Sequence, residues 1–178
     1  MKLKVNILLT ALVLIVAGCA TADRMEGPRG LATLDGKSGS DAFGIVTFTE
    51  MADGTVTIRA DLSNVPPGVH GFHVHEVGDC SAPDASSAGG HFNPGDNPHG
   101  SPTDAQHHAG DLGNVTASSD GRVEAEMTTT DLTVSQGPRS VVGKAVVLHA
   151  DADDLESQPS GAAGARIACG VVNLSPES

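Results

Sequence analysis

The sequence predicts an all-β fold, either a sandwich or a barrel, and three observations support this prediction. Apolar and polar residues alternate with a period of two in residues 56–62 and 123–128, as in strands with one buried face. Asp53-Gly54 and Asp120-Gly121 precede these runs and are typical tight-turn pairs, so each is expected to connect an antiparallel hairpin. No segment carries a sustained helical apolar stripe with caps.

Further short β-prone runs cover residues 45–49 and 145–148. Two long stretches, Glu76 to Gly113 and Ala150 to Ala165, lack any periodicity. Loops longer than about 15 residues are uncommon in compact domains and are usually functional or disordered. The sequence therefore predicts two long loops between short strands, with no internal repeat and no second domain.

The first 18 residues have the pattern of an export signal. Lys2 and Lys4 form a short positive region before the apolar run Ile7 to Ala17, which is shorter than the roughly 20 residues that a transmembrane helix needs. The small residues before Cys19 resemble a bacterial lipobox, which implies cleavage after Gly18 and lipidation of the Cys19 thiol. The alternative is an ordinary signal cleaved beside an incidental cysteine.

The expected organisation is a lipoprotein signal peptide (1–18), a flexible tether (19–28) that is poor in hydrophobic residues, and one domain (29–178). The chain that remains after cleavage is long enough to form one core. Loss of the two leader lysines changes the formal net charge from −12 to −14. Because nucleic-acid binding depends on neutralising phosphates, we expect no nucleic-acid partner, and the acidity by default serves solubility.

Six of the eight histidines lie between Gly71 and Asp111, and this density is the strongest functional signal in the chain. Side chains alternate between the faces of a strand, so His73 and His75 are expected to point to the same side. Two such imidazoles form a bidentate site that suits copper or zinc, and the carboxylate of Asp111 suits zinc or a harder ion. A lone histidine is more often structural, but this group predicts a metal site.

The three cysteines are consistent with export. An odd cysteine in an exported protein needs a role, and lipidation would supply one for Cys19. Cys80 and Cys169 then remain as a pair in a compartment where disulfides persist. Two unpaired buried thiols are the alternative.

Six short runs set these residues in specific contexts: Gly71-Phe72-His73-Val74-His75-Glu76, Gly78-Asp79-Cys80, Gly90-His91-Phe92-Asn93-Pro94, His108-Ala109-Gly110-Asp111-Leu112-Gly113-Asn114, Val147-Leu148-His149 and Ala165-Arg166-Ile167-Ala168-Cys169-Gly170. Together they resemble the copper/zinc superoxide dismutase family over roughly Leu31 to Leu174. The resemblance implies an immunoglobulin-like Greek-key β-sandwich, or flattened barrel, with two long functional loops. This fold agrees with the strand prediction.

The resemblance also implies two metal sites that share one histidine. The implied copper ligands are His73, His75, His91 and His149. The implied zinc ligands are His91, His99, His108 and Asp111. An imidazole without either ring proton has a lone pair at each nitrogen, so His91 can bridge the two metals. His70 matches a structural position of the family, and His107 is the weaker zinc candidate because only His108 keeps the three-residue spacing to Asp111.

The activity that the resemblance implies is dismutation of superoxide to oxygen and hydrogen peroxide, with redox-active copper and redox-silent zinc. Arg166 matches an arginine that attracts and orients a small anion beside copper, and His91 also carries a proton in the family. Asp153 matches a carboxylate that connects a copper ligand with a zinc ligand, although a solvated loop acid is the alternative. Cys80 and Cys169 match the intrachain disulfide of the family.

Two departures and two alternatives qualify this interpretation. Residues 150–165 form a shorter loop than in many relatives and contain no lysine, so fast association of superoxide is expected to depend on Arg166. A copper-storage or copper-delivery protein, or a purely structural sandwich with vestigial sites, could use the same fold. Retention of every metal ligand together with Asp153 and Arg166 disfavours both alternatives.

The expected location is the periplasm. A diacylated Cys19 would anchor the protein stably in the cell envelope, where it would meet extracytoplasmic superoxide. Ala20 is not the aspartate that commonly retains lipoproteins at the inner membrane, so attachment to the outer membrane is expected in a host with two membranes. Quaternary contacts vary among bacterial members of the family, and a homodimer stays open.

Overall fold

The computed structural model describes residues 26–175, and the predicted signal peptide and Cys19 lie outside this range. Within it the all-β prediction is confirmed, with one short 3₁₀ turn at Ser86–Ala88. These residues hold no helix that is long and apolar enough to cross a membrane. The strands are β1 (Glu26–Gly36), β2 (Phe43–Met51), β3 (Val56–Ser63), β4 (Gly68–His75), β5 (Asp111–Ala117), β6 (Val123–Thr129), β7 (Ala145–His149), β8 (Arg166–Val171) and β9 (Asn173–Leu174).

Eight of the described strands form one antiparallel path in the order β5-β4-β7-β8-β1-β2-β3-β6, and β9 pairs with β1. The path closes into a nearly complete barrel with β5 and β6 at its two ends. Strands β4 and β7 are neighbours although β5 and β6 lie between them in the chain, a crossing connection of the Greek-key type. This connection brings the first and second halves of the sequence together at β4 and β7.

The barrel interior follows the predicted alternation. In β3 the side chains of residues 56, 58, 60 and 62 are buried, while those between them are partly or fully exposed. In β4, Phe72 and Val74 join the barrel core, so His73 and His75 point outward, as predicted. Both histidines are nevertheless buried, because the two long loops cover this part of the outer face.

A second, smaller apolar cluster lies on the outer face of β7 and β8. It packs the segment that precedes His91 against the barrel wall, so that loop is fixed by apolar contacts as well as by its hydrogen bonds. The buried members of the cluster are Ala85, Ala88, Ala145, Val147 and Cys169.

Some predicted boundaries need correction. β1 begins at Glu26, so residues 26–28 of the expected tether belong to a strand, and Gly27 lies so close to β2 that a Cβ would stand 2.9 Å from the Glu50 carbonyl oxygen. The first long loop ends at residue 110, because β5 begins at Asp111. Strands β1, β5 and β8 lacked a clear periodic signal in the sequence.

The two predicted hairpins have different outcomes. The turn at Asp53-Gly54 connects the paired strands β2 and β3, as expected. The turn at Asp120-Gly121 also forms, with the Ser118 amide 2.9 Å from the Arg122 carbonyl oxygen. However, β6 pairs with β3 instead of β5, so the second predicted hairpin is wrong. The reason is that β5 and β6 belong to opposite ends of the strand path.

Candidate metal centre

The predicted ligands converge outside the barrel wall, between the sheet and the two long loops. Strand β4 provides His73 and His75, the end of β7 provides His149, and Asp111 is the first residue of β5. The first long loop, residues 76–110, provides the other members of the set. All seven side chains are at least nine-tenths buried: His73, His75, His91, His99, His108, Asp111 and His149.

These seven residues form two groups of four that have His91 in common. In each group the ligand atoms lie within 4.8 Å of one another. The first group is His73, His75, His91 and His149. The second group is His91, His99, His108 and Asp111. The structure therefore brings together every predicted ligand in the two sets that the sequence resemblance implies.

Hydrogen bonds to backbone carbonyls indicate which ring nitrogens of the first group can bind a metal. His75 Nδ1 lies 3.0 Å from the Gly89 oxygen and His149 Nδ1 lies 3.4 Å from the Gly164 oxygen, so these nitrogens are assigned the ring protons. Their Nε2 atoms are then unprotonated and face each other at 3.4 Å. Two facing lone pairs repel unless a cation lies between them, so this arrangement suits a metal.

Asp153 connects the two groups. Its Oδ2 lies 2.8 Å from His73 Nε2 and its Oδ1 lies 3.0 Å from His99 Nε2. The Leu155 amide donates a further hydrogen bond to Oδ1 over 2.7 Å. Asp153 is only 4% exposed, which excludes the alternative of a solvated loop acid. The bonds to Asp153 leave Nδ1 of both histidines directed into the groups.

Two residues that support this arrangement were missed at the sequence level. The Asn114 side chain accepts a hydrogen bond from the Asp153 amide at 2.8 Å and donates one to its carbonyl at 2.9 Å. The Gln158 side chain likewise accepts from the His99 amide and donates to its carbonyl. Asn114 lies within one of the motifs and could have been noticed, whereas no local pattern marks Gln158.

The second group is arranged around one oxygen of Asp111. Asp111 Oδ2 accepts hydrogen bonds from the amides of Gly100 and His108 at 3.2 and 2.8 Å. Its Oδ1 lies 2.7 Å from His91 Nδ1, 3.0 Å from His99 Nδ1 and 3.3 Å from His108 Nδ1. Three histidine nitrogens and one carboxylate oxygen form the donor set that zinc prefers.

Four buried ring nitrogens have no hydrogen-bond partner among the described residues. Two of them approach Asp111 Oδ1 without the angle that a hydrogen bond requires. A buried polar atom without a partner costs about 1–3 kcal/mol, so four in one place need an explanation. A metal ion in each group would satisfy all of them. The atoms are His73 Nδ1, His91 Nε2, His99 Nδ1 and His108 Nδ1.

Arg166 borders the opening above the first group. Its Nη1 donates to the Ala85 carbonyl and its Nη2 to the Gly89 carbonyl, both over 2.7 Å. Burial lowers the pKa of this guanidinium and the nearby Asp84 raises it, and an arginine stays charged in proteins. Since the Gly89 carbonyl also accepts from His75 Nδ1, the cation and one side chain of the first group are fixed to the same loop residue.

A disulfide joins Cys80 in the first long loop to Cys169 in β8. The two residues are 89 positions apart in the chain, and their Cα atoms are 5.8 Å apart. Lys37, in the β1–β2 connection, donates from Nζ to the Cys80 carbonyl over 2.5 Å. The prediction that Cys80 and Cys169 form a disulfide is confirmed. This disulfide holds the loop segment whose Ala85 and Gly89 carbonyls accept hydrogen bonds from Arg166.

Comparison with known proteins identifies the family. The family model described as copper/zinc superoxide dismutase matches residues 42–172, most of the chain. The chain belongs to the copper/zinc superoxide dismutase family. It is also similar to a solved structure titled as the crystal structure of the clock protein EA4, with 40% sequence identity and a TM-score of 0.75 over 83% of this chain and 94% of that chain. As a member of the family, the chain is an oxidoreductase with copper and zinc as cofactors.

Burial keeps three histidines of the first group neutral at physiological pH. It lowers the pKa of His73 to about 4, even though hydrogen bonding to Asp153 raises it. Burial and the neighbouring His91 lower the pKa of His75 to about 2. Burial, together with His73, lowers the pKa of His149 to about 3. Metal ligands must be unprotonated, so these shifts favour metal binding.

The two carboxylates are held in their charged form. Burial raises the pKa of Asp153, but the hydrogen bonds from His73, Leu155 and His99 outweigh it and lower the pKa to about 2. Burial also raises the pKa of Asp111. Hydrogen bonds and charges nearby, above all the hydrogen bond to His91, outweigh burial and hold this pKa well below its ordinary value. Both carboxylates can therefore act as anionic partners of the histidines.

The two remaining histidines belong to neither metal group. His70 is buried, and its ring nitrogens lie 2.9 Å from the His149 carbonyl oxygen and 2.7 Å from that of Pro66. This structural position is the one that the resemblance implied. The His107 Nδ1 lies 2.8 Å from the backbone oxygen of His108, and its side chain does not join the second group.

Proposed function

We propose that this protein dismutates superoxide in the cell envelope, with copper held by the first group and zinc by the second. The reaction converts two superoxide anions and two protons into one molecule of oxygen and one of hydrogen peroxide. The observation that carries the proposal is the position of His91, which contributes to both groups and has Nδ1 2.7 Å from Asp111 while Nε2 has no hydrogen-bond partner among the described residues.

The hydrogen-bond pattern assigns one atom of each residue to a metal. Copper would be held by His73 Nδ1, His75 Nε2, His149 Nε2 and His91 Nε2, and zinc by the Nδ1 atoms of His91, His99 and His108 with Asp111 Oδ1. Copper supplies one-electron redox chemistry when bound, and zinc contributes charge and shape without redox chemistry.

The protein binds and orients the substrate through Arg166. Its guanidinium is fixed by two carbonyls at the opening, so it presents a positive charge in a defined place. A fixed cation attracts and orients a small anion without reorganising during the reaction. His91 is buried beside the first group, and its Nε2 can hold a proton only while it is not a copper ligand. In that state His91 is placed to deliver the proton to the reduced substrate.

The direct test is superoxide dismutation by the purified mature protein after loading with copper and zinc, compared with the metal-free protein. We expect metal-dependent activity that His149→Ala abolishes and that His107→Gln, at a histidine outside both groups, retains. Metal content and circular dichroism would be measured for each sample. A folded protein that contains both metals and has no activity would refute the proposal and favour copper storage or delivery.

The location in the envelope depends on Cys19. The lipobox-like sequence before this residue supports lipid attachment, and the Cys80–Cys169 disulfide is consistent with an oxidising compartment. We expect the native protein to partition into detergent and to fractionate with the outer membrane of a double-membraned host, while Cys19→Ser partitions into water. Equal partitioning of the two proteins would refute the anchor without affecting the proposed chemistry.

A further inference from the structure

His99 differs from the other members of the second group in how its backbone is held. Among the described residues, its amide and carbonyl make no hydrogen bond with another backbone group. By contrast, His91 forms a β-bridge with His75. Asp111 donates from its amide to the His108 carbonyl over 3.0 Å. His99 is only 4% exposed, so its peptide groups need partners other than bulk water.

Gln158 provides both partners from the second long loop, residues 150–165. Its side-chain oxygen accepts from the His99 amide over 2.9 Å, and its NH₂ group donates to the His99 carbonyl over 2.8 Å. The NH₂ group also lies 3.2 Å from the Glu156 carbonyl oxygen in its own loop, which supports this assignment of the amide oxygen and nitrogen. One side chain therefore satisfies the donor and the acceptor of the same residue.

The second long loop also holds the His99 side chain. Asp153 Oδ1 lies 3.0 Å from His99 Nε2. Gly161 packs directly on this hydrogen bond, because a Cβ at residue 161 would collide with Asp153 Oδ1 and stand 2.7 Å from His99 Nε2. His99 is therefore held at its peptide by Gln158 and at its ring by Asp153. The position of its Nδ1 depends on a loop to which His99 itself does not belong.

We propose that Gln158 is a positioning residue for zinc, because its two hydrogen bonds to the His99 peptide hold Nδ1 of that histidine in the second group. The inference rests on the proposed placement of zinc in this group, but not on dismutation. Zinc needs its donors in a tetrahedral arrangement, so a ligand that moves freely must be ordered when the metal binds, and affinity is lost. In the described part of the chain no hydrogen bond joins Gln158 to the first group, so copper binding should not depend on it.

The test removes the Gln158 side chain, which is exposed, so Gln158→Ala leaves no cavity in the core and should fold. We expect roughly 10-fold weaker zinc binding by the purified mature protein, measured by competition with a chromophoric chelator. Copper affinity should stay within about twofold of the wild type. Cobalt(II) bound in place of zinc should show shifted visible absorption bands in the variant, because these bands report the geometry of the ligands.

Gln106→Ala is the matched control, because it makes the same substitution in the loop that carries His99. Gln106 is exposed and lies two residues before His108, and no hydrogen bond of its side chain is found among the described residues. We expect wild-type zinc affinity and a wild-type cobalt spectrum. An equal loss of zinc affinity in Gln106→Ala, or an equal loss of copper affinity in Gln158→Ala, would indicate general loosening of the loops and would overturn the inference.

Gln158→Glu separates positioning from charge. A glutamate keeps an oxygen for the His99 amide, but at neutral pH it has no proton to donate to the His99 carbonyl. Its added negative charge would by itself attract zinc more strongly. We nevertheless expect zinc binding roughly threefold weaker than in the wild type, because one of the two hydrogen bonds is replaced by repulsion between two oxygens. Zinc binding as tight as in the wild type, or tighter, would overturn the inference.

A ligand variant separates this inference from the proposed function. His108→Ala should abolish tight zinc binding and retain copper, which would locate zinc in the second group. Unchanged zinc binding in His108→Ala would refute that placement and the inference with it. Weaker zinc binding by Gln158→Ala in a protein that binds both metals without dismutating superoxide would refute the proposed function and support the inference. Wild-type zinc affinity in Gln158→Ala would overturn the inference alone.

Discussion

Asp153 accepts a hydrogen bond from His73, with 2.8 Å between the carboxylate Oδ2 and the imidazole Nε2. The other carboxylate oxygen lies 3.0 Å from His99 Nε2, so one side chain connects a member of each metal group. A hydrogen bond at one imidazole nitrogen fixes the ring orientation and leaves the other nitrogen for a metal. The two groups are therefore linked twice, once through the shared His91 and once through Asp153.

Asp153→Asn should weaken zinc binding by roughly 10- to 100-fold. An asparagine offers one acceptor and one donor, so its NH₂ group would face a histidine N–H and one of the two rings would lose its orientation. Zinc affinity would be measured by competition with a chromophoric chelator. The neighbouring Asp154→Asn is the control, because Asp154 is exposed and accepts hydrogen bonds from the Glu156 and Ser157 amides and the Ser157 hydroxyl, none of which belongs to a metal group. Equal zinc affinities of wild type and Asp153→Asn would contradict this role.

Gly110→Ala should be more destabilising than Gly90→Ala, although both glycines flank the metal groups. A Cβ at Gly110 would collide with the Val74 carbonyl oxygen and stand 3.0 Å from the Phe92 amide, both backbone atoms that cannot move away. A Cβ at Gly90 would meet only a side-chain oxygen of Glu76, at 3.7 Å. We expect a loss of about 1–3 kcal/mol in unfolding free energy for Gly110→Ala and less than about 0.5 kcal/mol for Gly90→Ala.

Urea denaturation of the metal-free proteins would measure both values. A Gly110→Ala variant as stable as the Gly90→Ala variant would contradict the prediction. It would show that the backbone contact between the first long loop and β4 leaves room for a methyl group at residue 110.

Removal of the disulfide should lower the unfolding free energy by about 4 kcal/mol, because it closes a long loop in the unfolded chain. The double variant Cys80→Ser/Cys169→Ser would be compared with the oxidised wild type by urea denaturation, with Cys19→Ser as a control that retains the disulfide. Loss of the disulfide should also increase the mobility of the loop segment whose Ala85 and Gly89 carbonyls hold Arg166. Faster amide exchange in residues 80–90 of the variant would show this effect. Unchanged stability and unchanged exchange would contradict the prediction.

Acid should destabilise the metal-free protein in two stages. His73 has a folded-state pKa of about 4, against 6.5 for an ordinary histidine, so below pH 6.5 the unfolded chain binds a proton that the folded protein does not. Unfolding free energy therefore decreases as the pH falls from 6.5 to about 4, by on the order of 3 kcal/mol for His73 alone. His75 and His149 act in the same direction.

Asp153 adds the second stage, because its folded-state pKa of about 2 lies below its ordinary value of 3.8. Its stabilising contribution is complete above pH 3.8 and disappears as the pH falls toward 2. Urea denaturation at a series of pH values would follow both stages. An unfolding free energy that stays constant from pH 7 to about 4.5 would contradict the first stage.

Several features could be predicted from the sequence because they depend on short spacings along the chain. The alternation in β3 indicates which side chains enter the core, and Asp53-Gly54 marks the turn of a hairpin that forms. The two long loops follow from the absence of periodicity. The histidine-rich motifs indicate metal chemistry by residue type alone, and their resemblance to a known family supplied the division into two groups.

Other features were decided only by the tertiary structure, because they join residues far apart in the chain. The antiparallel pairing of β4 with β7 brings His73 next to His149, and β6 pairs with β3 although β5 precedes it in the sequence. The contacts of Gln158 with His99, and those of Arg166 with the Ala85 and Gly89 carbonyls, depend on how the loops fold over the barrel. Local periodicity reports which face of a strand is apolar, but barrel closure and loop packing determine which distant faces meet.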